Sequence, residues 1–493
     1  MKILRKKTMK RIYLLIAIGI LPCCAVKAQK HRVNYQAELG SGTAAKPFWL
    51  HTNTRNKIAP DTYLWGNVGL FTDFAKSDTR AFDYSLGAEG TGALGQYHNR
   101  IFVNQLFGKI RWQNLTLNVG LFDRPTCYDG LSATNGDLLY SNNSRNMPGI
   151  SLASWDYIKL PGKVGRYLSF KFRYAEQMML DNRYVENTRV HNKMAAGKIT
   201  FTPQFSIEGG IEDYAQWGGK GPAGKNRYTL KDYIKLVCVL SGGENASRSD
   251  QINKLGNHIG NYFVRINYGN SKLGISFYYN HLFEDGSGGR FKNAPDGLYG
   301  LYLTRKDSDR WFKSFVYEFY YTKDQSGPHH DRPATEEEIA QKDPSDPFPD
   351  KVILGGDDDY FYHGEYNSGW SLYGQIIGLP FITPTPATNG IIRGTYNNRV
   401  LAHHFGLSGA LPLLDIQYKL LCSYSQNYGR YSAPFQDEAG NTISKPQFSF
   451  GLQLTAPEKR LPFATTLSLG FDKGDLLQNR FGIMLSILKI GLF

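Results

Sequence analysis

Few residues in this sequence have the types and spacing that catalysis needs. His281, Asp285 and Ser287 are the three residue types of a nucleophilic triad and lie close together in the chain. Nearness in sequence is not nearness in space, so this set only suggests a triad. Gly406-Leu-Ser-Gly-Ala410 is one residue short of a nucleophile elbow and lies in a predicted strand with no turn into a helix. An enzyme acting on lipid or glycan is therefore a weakly supported alternative.

Nucleotide and metal sites are also weakly supported. Residues 219–226 nearly match a phosphate-binding loop, but Asn226 replaces the Ser or Thr that would hold magnesium. His403 and His404 are adjacent and would point to opposite faces of a strand, which argues against a shared metal. The run Asp357-Asp358-Asp359 could bind calcium, although it lacks EF-hand spacing and acidic runs are commonly only solvated. We predict no cofactor and no metal ligand set, and the calcium alternative stays open for this run.

A larger set of side chains suits saccharide binding. Sugar rings stack on flat apolar faces and sugar hydroxyls bind planar polar groups, so Trp, Tyr, Asp, Asn, His and Arg in loops are the expected residue types. The candidates in this chain are Trp217, Asp232, Asn257, His258, Glu284, Asp285, Arg290, His329, His330, Asp331, Tyr366, Asn367, Trp370 and Arg399. Whether they could meet a ligand depends on the elements that hold them.

The first 28 residues are typical of a secretory signal peptide. A basic segment precedes the apolar run Ile12–Leu21, and Ala28 supplies the small residue of a cleavage site. The mature chain is therefore predicted to span residues 29–493. A lipoprotein signal on the adjacent Cys23-Cys24 pair is the alternative, which the proline before the pair disfavours.

Composition excludes several classes of protein. Seven positive charges of the formal net +14 lie in the first 28 residues with no acid among them, which leaves about +7 for the mature chain. This mild surplus is compatible with acidic glycans or lipid phosphates, but no block of like charge suggests a nucleic-acid surface. The cysteines Cys127, Cys238 and Cys422 are too few and too far apart for a disulfide framework. After the signal no run of about 18 apolar residues occurs, which excludes a helical membrane protein.

Alternation with a period of two predicts β-strands throughout the mature chain. Leu273, Ile275, Phe277 and Tyr279 form an apolar face, and the residues between them are more polar. The same pattern recurs in residues 115–121, 168–174, 205–212 and 463–472. A soluble sandwich alternates too, but 32 tyrosines and an aromatic content of 14% suit strands with interfacial aromatic girdles. The mean hydropathy of −0.40 does not exclude a membrane barrel, because its loops and lumen are polar.

Turn lengths separate a membrane barrel from a sandwich. Outer-membrane barrels have short periplasmic turns and long external loops. The predicted short turns are 76–81, 113–114, 161–165, 202–204, 269–270, 305–310, 411–412 and 456–461. The predicted longer connections are 41–62, 91–99, 123–149, 177–191, 217–258, 283–296, 324–399, 427–446 and 473–479. Their strict alternation predicts a transmembrane antiparallel β-barrel of about eighteen strands, with both termini in the periplasm.

Two of these connections are predicted to contain helices. Residues 230–240 carry an apolar stripe at helical spacing, which predicts a short helix packed in or over the lumen, with an extra strand as the alternative. Thr335 followed by Glu338 has the spacing of a capping box. The loops 217–258 and 324–399 are the longest, and connections of this length are usually functional or partly disordered.

Several segments resemble the Wzi family of outer-membrane capsule-assembly proteins. The closest similarities are in residues 321–331, 362–370, 374–380 and 255–260, and the resemblance extends over the mature chain in length and strand number. It implies an eighteen-stranded barrel that is occluded by its own loops and holds capsular or related polysaccharide in a lectin-like way. Enterobacterial members have a periplasmic helical bundle before the barrel, whereas here strand-like sequence begins by Val33, which puts any role of such a bundle in doubt.

We therefore predict a cell-surface barrel that binds or retains capsular polysaccharide or exopolysaccharide without catalysis. Its expected neighbours are outer-membrane lipid, lipopolysaccharide and possible polysaccharide export proteins. The alternative for the candidate residues is that they wall and plug the lumen, and Gly364, Gly369, Gly374 and Gly378 suit a tight backbone path better than ligand contact. The alternative function is a porin-like channel for small anionic or sugar solutes, in which Lys171, Arg173 and Arg265 would select anions.

Overall fold

The structure is a computed structural model. It describes residues 33–74, 82–222, 224–225, 228–243, 254–306, 310–327, 332–344, 349–352, 358–459 and 461–492. The predicted signal peptide, residues 1–28, lies outside the described residues, so the predicted division of the chain at Ala28 stays a prediction.

Eighteen long strands form the body of the described chain. They are β1 Val33–Gly42, β2 Thr62–Thr72, β3 Asp83–Gly95, β4 Arg100–Trp112, β5 Leu115–Leu121, β6 Gly149–Ser154, β7 Leu168–Met178, β8 Arg189–Thr200, β9 Phe205–Trp217, β10 Asn257–Gly269, β11 Leu273–Phe283, β12 Gly297–Arg305, β13 Ser314–Tyr321, β14 Val400–Leu411, β15 Ile416–Asn427, β16 Lys445–Ala456, β17 Ala464–Gly474 and β18 Arg480–Leu492. The short strand Ile158–Lys159 adds to β7 after β6 ends.

The sheet closes on itself. Each strand pairs antiparallel with its neighbour in sequence, and β1 also pairs with β18, with Asn34 opposite Leu492 and Gly42 opposite Met484. Closure leaves no open edge of unpaired backbone groups, which is the condition for a sheet that spans a membrane. The predicted barrel of eighteen antiparallel strands is confirmed.

Connections alternate in length around the barrel. One end carries the turns between β2 and β3, β4 and β5, and so on, and we call it the turn rim. The other end carries the connections 43–61, 96–99, 122–148, 179–188, 218–256, 284–296, 322–399, 428–444 and 475–479, and we call it the loop rim. Seven of these nine loop-rim connections are long. The other two are shorter than predicted, because β3 and β17 run further into them.

Apolar side chains cover the outer wall. On β2, Val68 is 67% exposed and Leu70 is 49% exposed. The alternate residue Asn67, which points to the inside of the barrel, is buried. The same outward exposure of large apolar residues recurs on β7, β9, β11 and β18, for example at Phe277 and Leu485. Exposed apolar residues at every second position suit a wall that faces lipid rather than water.

Three connections fill the lumen near the loop rim. Residues 43–61 contain the short helix α1 Phe48–His51, and residues 122–148 and 358–399 add most of the remaining volume. We call α1 and these two segments the plug. Its buried apolar side chains are Phe48, Trp49, Leu131, Ala133, Leu138, Leu139, Tyr140, Met147, Tyr360, Phe361, Trp370, Leu372, Ile376, Ile377, Leu379, Phe381 and Ile382. They pack against inward residues of β8 to β15, such as Tyr214 and Tyr320, so the lumen contains a hydrophobic core.

Glycines in the wall allow the plug to come close. A Cβ on Gly406 of β14 would lie 2.7 Å from Leu131, and one on Gly451 of β16 would lie 2.7 Å from Trp49 Cβ. A side chain at either position would push the plug away from the wall. The segment 406–410 is therefore part of a strand that packs closely on the plug, and it makes no strand-to-helix turn of the nucleophile-elbow type.

Two further helices lie in the connections. Helix α2 spans Leu230–Val237 and helix α3 spans Glu336–Gln341, and each begins with a complete capping box, at Thr229 and Thr335 respectively. The predicted helix and the predicted capping box are thus confirmed. Two-stranded pieces complete the connections, at Lys220–Gly221 with Gly224–Lys225, Arg332–Pro333 with Lys351–Val352, Ser371–Leu372 with Gln375–Ile376, and Thr383–Pro384 with Thr395–Asn397. None of the helices in the described part of the chain has the length and hydrophobicity to cross a bilayer.

The predicted position of α2 is wrong. Leu236 of α2 packs with Ala215 and Trp217 of β9, whereas the alternate residues Tyr214 and Gln216 contact the plug. Successive residues of a strand point to opposite faces, so α2 lies against the outer wall and not in or over the lumen. The short helix inside the lumen is α1, which the sequence analysis did not predict.

Candidate functional site

One side of the plug is held by a buried carboxylate. Glu318 of β13 accepts hydrogen bonds from Ser132 Oγ at 2.5 Å and from the Ala133 N–H at 2.9 Å. Tyr278 and Tyr320 also donate their hydroxyl protons to it, at 2.7 and 2.5 Å. A buried carboxylate with four donors is well satisfied, so the 122–148 segment has a fixed position on the wall.

Helix α1 is held further along the wall, at β15 and β17. The first N–H of the helix, on Phe48, has no partner within the helix and donates to Asp472 Oδ2 of β17 at 2.9 Å. Trp49 Nε1 donates to Ser423 Oγ of β15 at 3.2 Å, and the ring of His404 packs against the Trp49 ring. The plug is therefore bonded to the wall at several strands between β13 and β17.

Tyrosine rings and cationic side chains cover the outer face of the plug. Besides Arg124 with the buried Tyr140, six pairs place a Lys or Arg cation over a tyrosine ring in loop-rim connections or at their ends. The pairs are Arg145 with Tyr373 at 4.5 Å, Arg393 with Tyr184 at 5.1 Å, Arg430 with Tyr362 at 4.7 Å, Arg399 with Tyr431 at 3.8 Å, Lys323 with Tyr428 at 4.3 Å, and Lys445 with Tyr396 at 5.7 Å. We call these twelve residues the cation–tyrosine strip.

Hydrogen bonds make much of the strip continuous. The Tyr184 N–H donates to Ser368 Oγ at 2.9 Å, and Ser368 Oγ donates to the carbonyl of Ile392, next to Arg393. Asn367 Nδ2 then donates to the Tyr362 hydroxyl at 2.9 Å.

The chain of bonds continues from Tyr362 through Arg430, the cation that lies over its ring. Arg430 forms an ion pair with Asp359, and Asn398 Nδ2 donates to the same carboxylate. Arg399 follows Asn398 directly, and its Nε donates to the carbonyl of Lys323 at 3.1 Å. Four of the six pairs are thus linked to one another by short bonds, and the cations of the strip share one end of the barrel.

The strip has the chemistry of a saccharide-binding surface. Tyr373 is 39% exposed and Tyr396 is 41% exposed, so each offers ring surface for the C–H face of a sugar. The neighbouring guanidinium and ammonium groups can donate to hydroxyls and carboxylates. Burial lowers the pKa of Arg145 to about 10, with a smaller contribution from Arg100. The Arg145 guanidinium is therefore still charged at neutral pH.

Five of the predicted saccharide-binding residues are buried. They are Trp217, Asn257, His258, Tyr366 and Trp370. Trp370 lies in the plug core, Tyr366 donates its hydroxyl proton to the carbonyl of Gly218 at 3.3 Å, and Asn257 donates to Gln216 at 2.8 Å. His258 bonds to Asp213 on the outer wall at 3.1 Å. All five are packed against other parts of the protein, three of them in or next to the lumen and Trp217 and His258 on the outer wall.

Four other predicted residues are not members of the strip. Asp232 caps α2, Asp285 accepts from Ser287 in a turn, and Arg290 is exposed in the same connection as Asp285. Glu284 accepts from the Phe361 N–H at 2.6 Å. Burial, reinforced by nearby carboxylates, raises the pKa of Glu284 well above its usual value.

Two predicted residues are in or beside the strip. Arg399 is a member, and Asn367 links two of its pairs. The candidates His329, His330 and Asp331 lie outside the described residues. Saccharide contact by any of the fourteen remains a prediction.

The four predicted structural glycines have different surroundings. Gly369 has φ +56° and a Cβ there would lie 2.1 Å from the Phe361 carbonyl oxygen. A Cβ on Gly378 would lie 2.0 Å from the Leu138 carbonyl oxygen. Gly374 has φ +89° with open space around it, and Gly364 is exposed with no atom near its Cβ position. Gly369 and Gly378 therefore fit the predicted tight backbone path.

The other sequence-predicted chemistry does not assemble. Ser287 Oγ donates to Asp285 at 2.7 Å, but the ring nitrogens of His281 contact the Tyr279 hydroxyl and the Gly288 carbonyl instead of the serine. These three residues are therefore not arranged as a triad.

The acidic run is only partly described. Asp357 lies outside the described residues, Asp358 accepts from Ser326 at 2.8 Å, and Asp359 is paired with Arg430. Within the described ranges, no group of three or more His, Cys, Asp or Glu side chains is placed to hold a metal ion.

Sequence reasoning missed most of the strip. Its members come from connections far apart in the chain, so no local pattern joins them. The nearest local signal is Tyr428-Gly-Arg430-Tyr431, in which three strip residues lie within four positions. Arg145 and Tyr184 carry no local signal, because only the folded plug brings them to the surface.

One buried acid gives the plug a pH dependence. Burial raises the pKa of Asp296 to about 7, although the N–H groups of Asp324 and Gln325 and the hydroxyl of Tyr360 donate to it. In an unfolded chain an aspartate titrates near about 3.9. The folded state therefore binds this proton more tightly, and its contribution to stability is complete below about pH 4 and is lost as the pH rises through about 7.

We expect the substitution Asp296→Asn to remove this dependence. The amide is uncharged at every pH, so the variant should melt at a higher temperature than the wild type at pH 8, and the gap should shrink as the pH falls toward 4. Thermal unfolding of both chains in the same detergent measures the gap. A gap that is constant over this pH range would contradict the assignment.

Comparisons with known proteins agree with this architecture. The model of the family described as capsule assembly protein Wzi matches residues 67–341, which is more than half of the chain. The matched range includes Arg145 and Tyr184, and most of the strip follows it in sequence. A search of curated proteins gives no significant match.

A solved outer-membrane barrel shows the same fold. The outer-membrane protein Wzi of Escherichia coli, described as a carbohydrate-binding β-barrel involved in group 1 capsule assembly, is 12% identical with a TM-score of 0.54, over 93% of this chain and 84% of that chain. The Pseudomonas aeruginosa proteins OpdL and OprD are both 9% identical with TM-scores of 0.45, over 94% of this chain and 98% and 96% of theirs.

Proposed function

Because this chain belongs to the Wzi family of capsule assembly proteins, we propose that it binds or retains capsular polysaccharide or exopolysaccharide at the cell surface. It does so as a lectin-like protein, without catalytic turnover. The observation that carries the proposal is the cation–tyrosine strip on the outer face of a plug that fills an outer-membrane barrel.

The lengths of the connections support an orientation in the membrane. Long loops on the outside and short turns in the periplasm are the rule for barrels of this kind, and the proposed orientation therefore has the loop rim outside and both termini in the periplasm. The strip then faces the medium, where a surface polymer is found. The outer wall contacts outer-membrane lipid and lipopolysaccharide, and the turn rim faces the periplasm, where export proteins would hand over the polymer.

The strip suits a long, repeating ligand better than a single sugar. Its pairs extend over several connections, and each pair offers one ring and one cation. A polymer whose repeats contact several pairs at once gains avidity, because each contact after the first is intramolecular. The mild positive charge of the mature chain and the exposed cation Arg393 favour a polymer that carries acidic groups.

A capsule-retention assay on cells tests the proposal. Deleting residues 362–380 would not be a clean test, because this segment contains Trp370 and other buried residues of the plug core. We therefore propose the triple substitution Tyr184→Ala, Tyr373→Ala and Tyr396→Ala. Cells with this variant should lose most of their surface-bound polymer and release it into the medium, at unchanged levels of barrel in the membrane.

The control substitution is Tyr167→Ala at the turn rim. Tyr167 is 52% exposed and precedes β7 at the periplasmic end. This variant should retain polymer like the wild type. Equal retention by the triple variant and the control would remove the support for the strip as the binding surface.

A diffusion channel is the competing function. The lumen cations that would select anions are partly neutralised, since Arg173 forms an ion pair with Glu212 at 3.1 Å. The plug also occupies the path above them. The arrangement therefore favours binding at the surface over passage through the barrel.

A further inference from the structure

Helix α2 is attached to the outside of the barrel. Its Tyr233 hydroxyl donates to Glu176 of β7 at 2.6 Å, and its ring packs on Trp217 of β9 with ring centroids 5.1 Å apart. Leu236 is fully buried against Ala215 of β9. These contacts fix the helix on the outward face of β7 to β9, at the loop-rim end of the wall.

The contacts use only part of the apolar surface of the helix. Leu230 is 76% exposed and Ile234 is 54% exposed, and Cys238 at the C-cap is exposed as well. Residues four apart lie on one side of a helix, so these three residues form a single stripe. The stripe is next to the face that carries Tyr233 and Leu236, which means that the apolar surface continues outward from the barrel wall.

The polar surface of α2 carries cations. Lys231 is exposed and Lys235 is half-buried, and both lie on the side of the helix opposite Tyr233. The acid of the first turn, Asp232, is occupied by the cap at Thr229. An apolar stripe with lysines beside it is the pattern of a helix that lies in a membrane interface.

The surface next to α2 identifies what covers the stripe. Tyr174 of β7 and Ile211 of β9 are each 40% exposed on the same outward face, nearer the middle of the wall. This outward face is the lipid-facing surface of a membrane barrel. Helix α2 is attached to this face, so the same lipid is in reach of the stripe.

We propose that α2 is an interfacial helix that lies in the outer leaflet of the membrane and anchors the loop rim to it. Leu230 and Ile234 enter the acyl region, and Lys231 and Lys235 bind the phosphates of lipopolysaccharide. The helix thereby lies on the lipid surface beside the barrel. The assignment to lipopolysaccharide rests on the proposed orientation, in which the loop rim is outside.

A label on Cys238 measures directly how deep α2 lies in the membrane. A nitroxide label on Cys238, in a full-length chain with Cys127→Ser and Cys422→Ser, would be reconstituted into vesicles that contain lipopolysaccharide. We expect the label to collide more often with oxygen than with a water-soluble nickel complex, as a site in the acyl region does. A matched label at Arg290→Cys, which is exposed at the same rim, should show the opposite preference.

Two results would overturn the proposal. One is a Cys238 label as accessible to nickel as the Arg290→Cys label, which would place α2 in water. The other is dipolar broadening between labels that persists when the protein is diluted in lipid, which would mean that a second copy of the chain covers the stripe.

The role of the α2 lysines and the independence of polymer binding from α2 are tested with separate variants. The substitutions Lys231→Gln and Lys235→Gln should reduce the depth signal in lipopolysaccharide vesicles and leave it unchanged in zwitterionic vesicles. The pair Leu230→Asp and Ile234→Asp should abolish the depth signal while polymer binding at the strip stays within about twofold. If polymer binding fails in the wild type but the depth signal is present, the proposed function is wrong and the interfacial helix stands.

Discussion

A chain whose 323–398 segment is replaced by a short Gly-Ser turn is expected to conduct ions that the full chain does not. Tyr321 of β13 is paired with Leu401 of β14, so a tight turn can join the two strands. The replacement removes the part of the plug that carries Trp370 and Phe381. Barrels of about eighteen strands leave an aqueous channel when nothing fills them. We expect conductance in planar bilayers to rise roughly tenfold or more.

The plug segment 122–148 should limit how far the conductance rises. Residues 122–148 stay bonded to Glu318 in the first variant, so the pore is expected to open only in part. Replacing both segments should open it further. Replacing α3 alone is the control, because its described residues have no buried side chain. A plug deletion that conducts no better than this control would mean that the lumen is closed by something other than the plug.

The second large effect is expected in polymer binding. Single substitutions Tyr184→Ala, Tyr373→Ala or Tyr396→Ala should weaken binding of purified capsular polysaccharide only a few-fold each. Loss of one ring–sugar contact costs about 1 kcal/mol, which is about fivefold in affinity. The triple variant should lose about 100-fold, because the remaining pairs bind short stretches independently and the avidity is lost.

The length of the polymer provides a separate control. Fragments of one repeat unit should bind weakly to every variant, with little difference among them. Binding isotherms on immobilised barrel measure both ligands. If the triple variant binds the polymer no worse than the weakest single variant, the strip does not act as a multivalent surface.

Much of the barrel could be predicted from hairpin physics. Alternating residues such as Leu273, Ile275 and Phe277 specify a strand with two different faces. The alternation of short turns and longer connections follows from the pairing of antiparallel neighbours. It can be recognised without knowledge of any tertiary contact. The same reasoning could not place α2. A helical apolar stripe shows that one face of the helix is covered, but it does not show whether the lumen or the outer wall covers it. Polar outward residues near the end of the wall, such as Asp213 and Lys193, were the available signal.

The site was harder to predict than the fold. Residue types that bind sugars also build a polar lumen, so Trp370 and Tyr366 matched the pattern and are buried in the plug. Arg145 and Tyr373, in contrast, are 228 positions apart and meet only after two connections have packed in the lumen. Their pairing depends on tertiary structure that no sequence spacing contains.

The central claim is that polymer is held on the outer face of a closed barrel. Hydroxyl-radical footprinting of the purified full-length chain, with and without capsular polysaccharide, locates the contact directly. We predict that the polymer protects Tyr184, Tyr373 and Tyr396 and leaves Tyr167 at the turn rim as reactive as before. Protection at the turn rim with none on the strip would contradict this account.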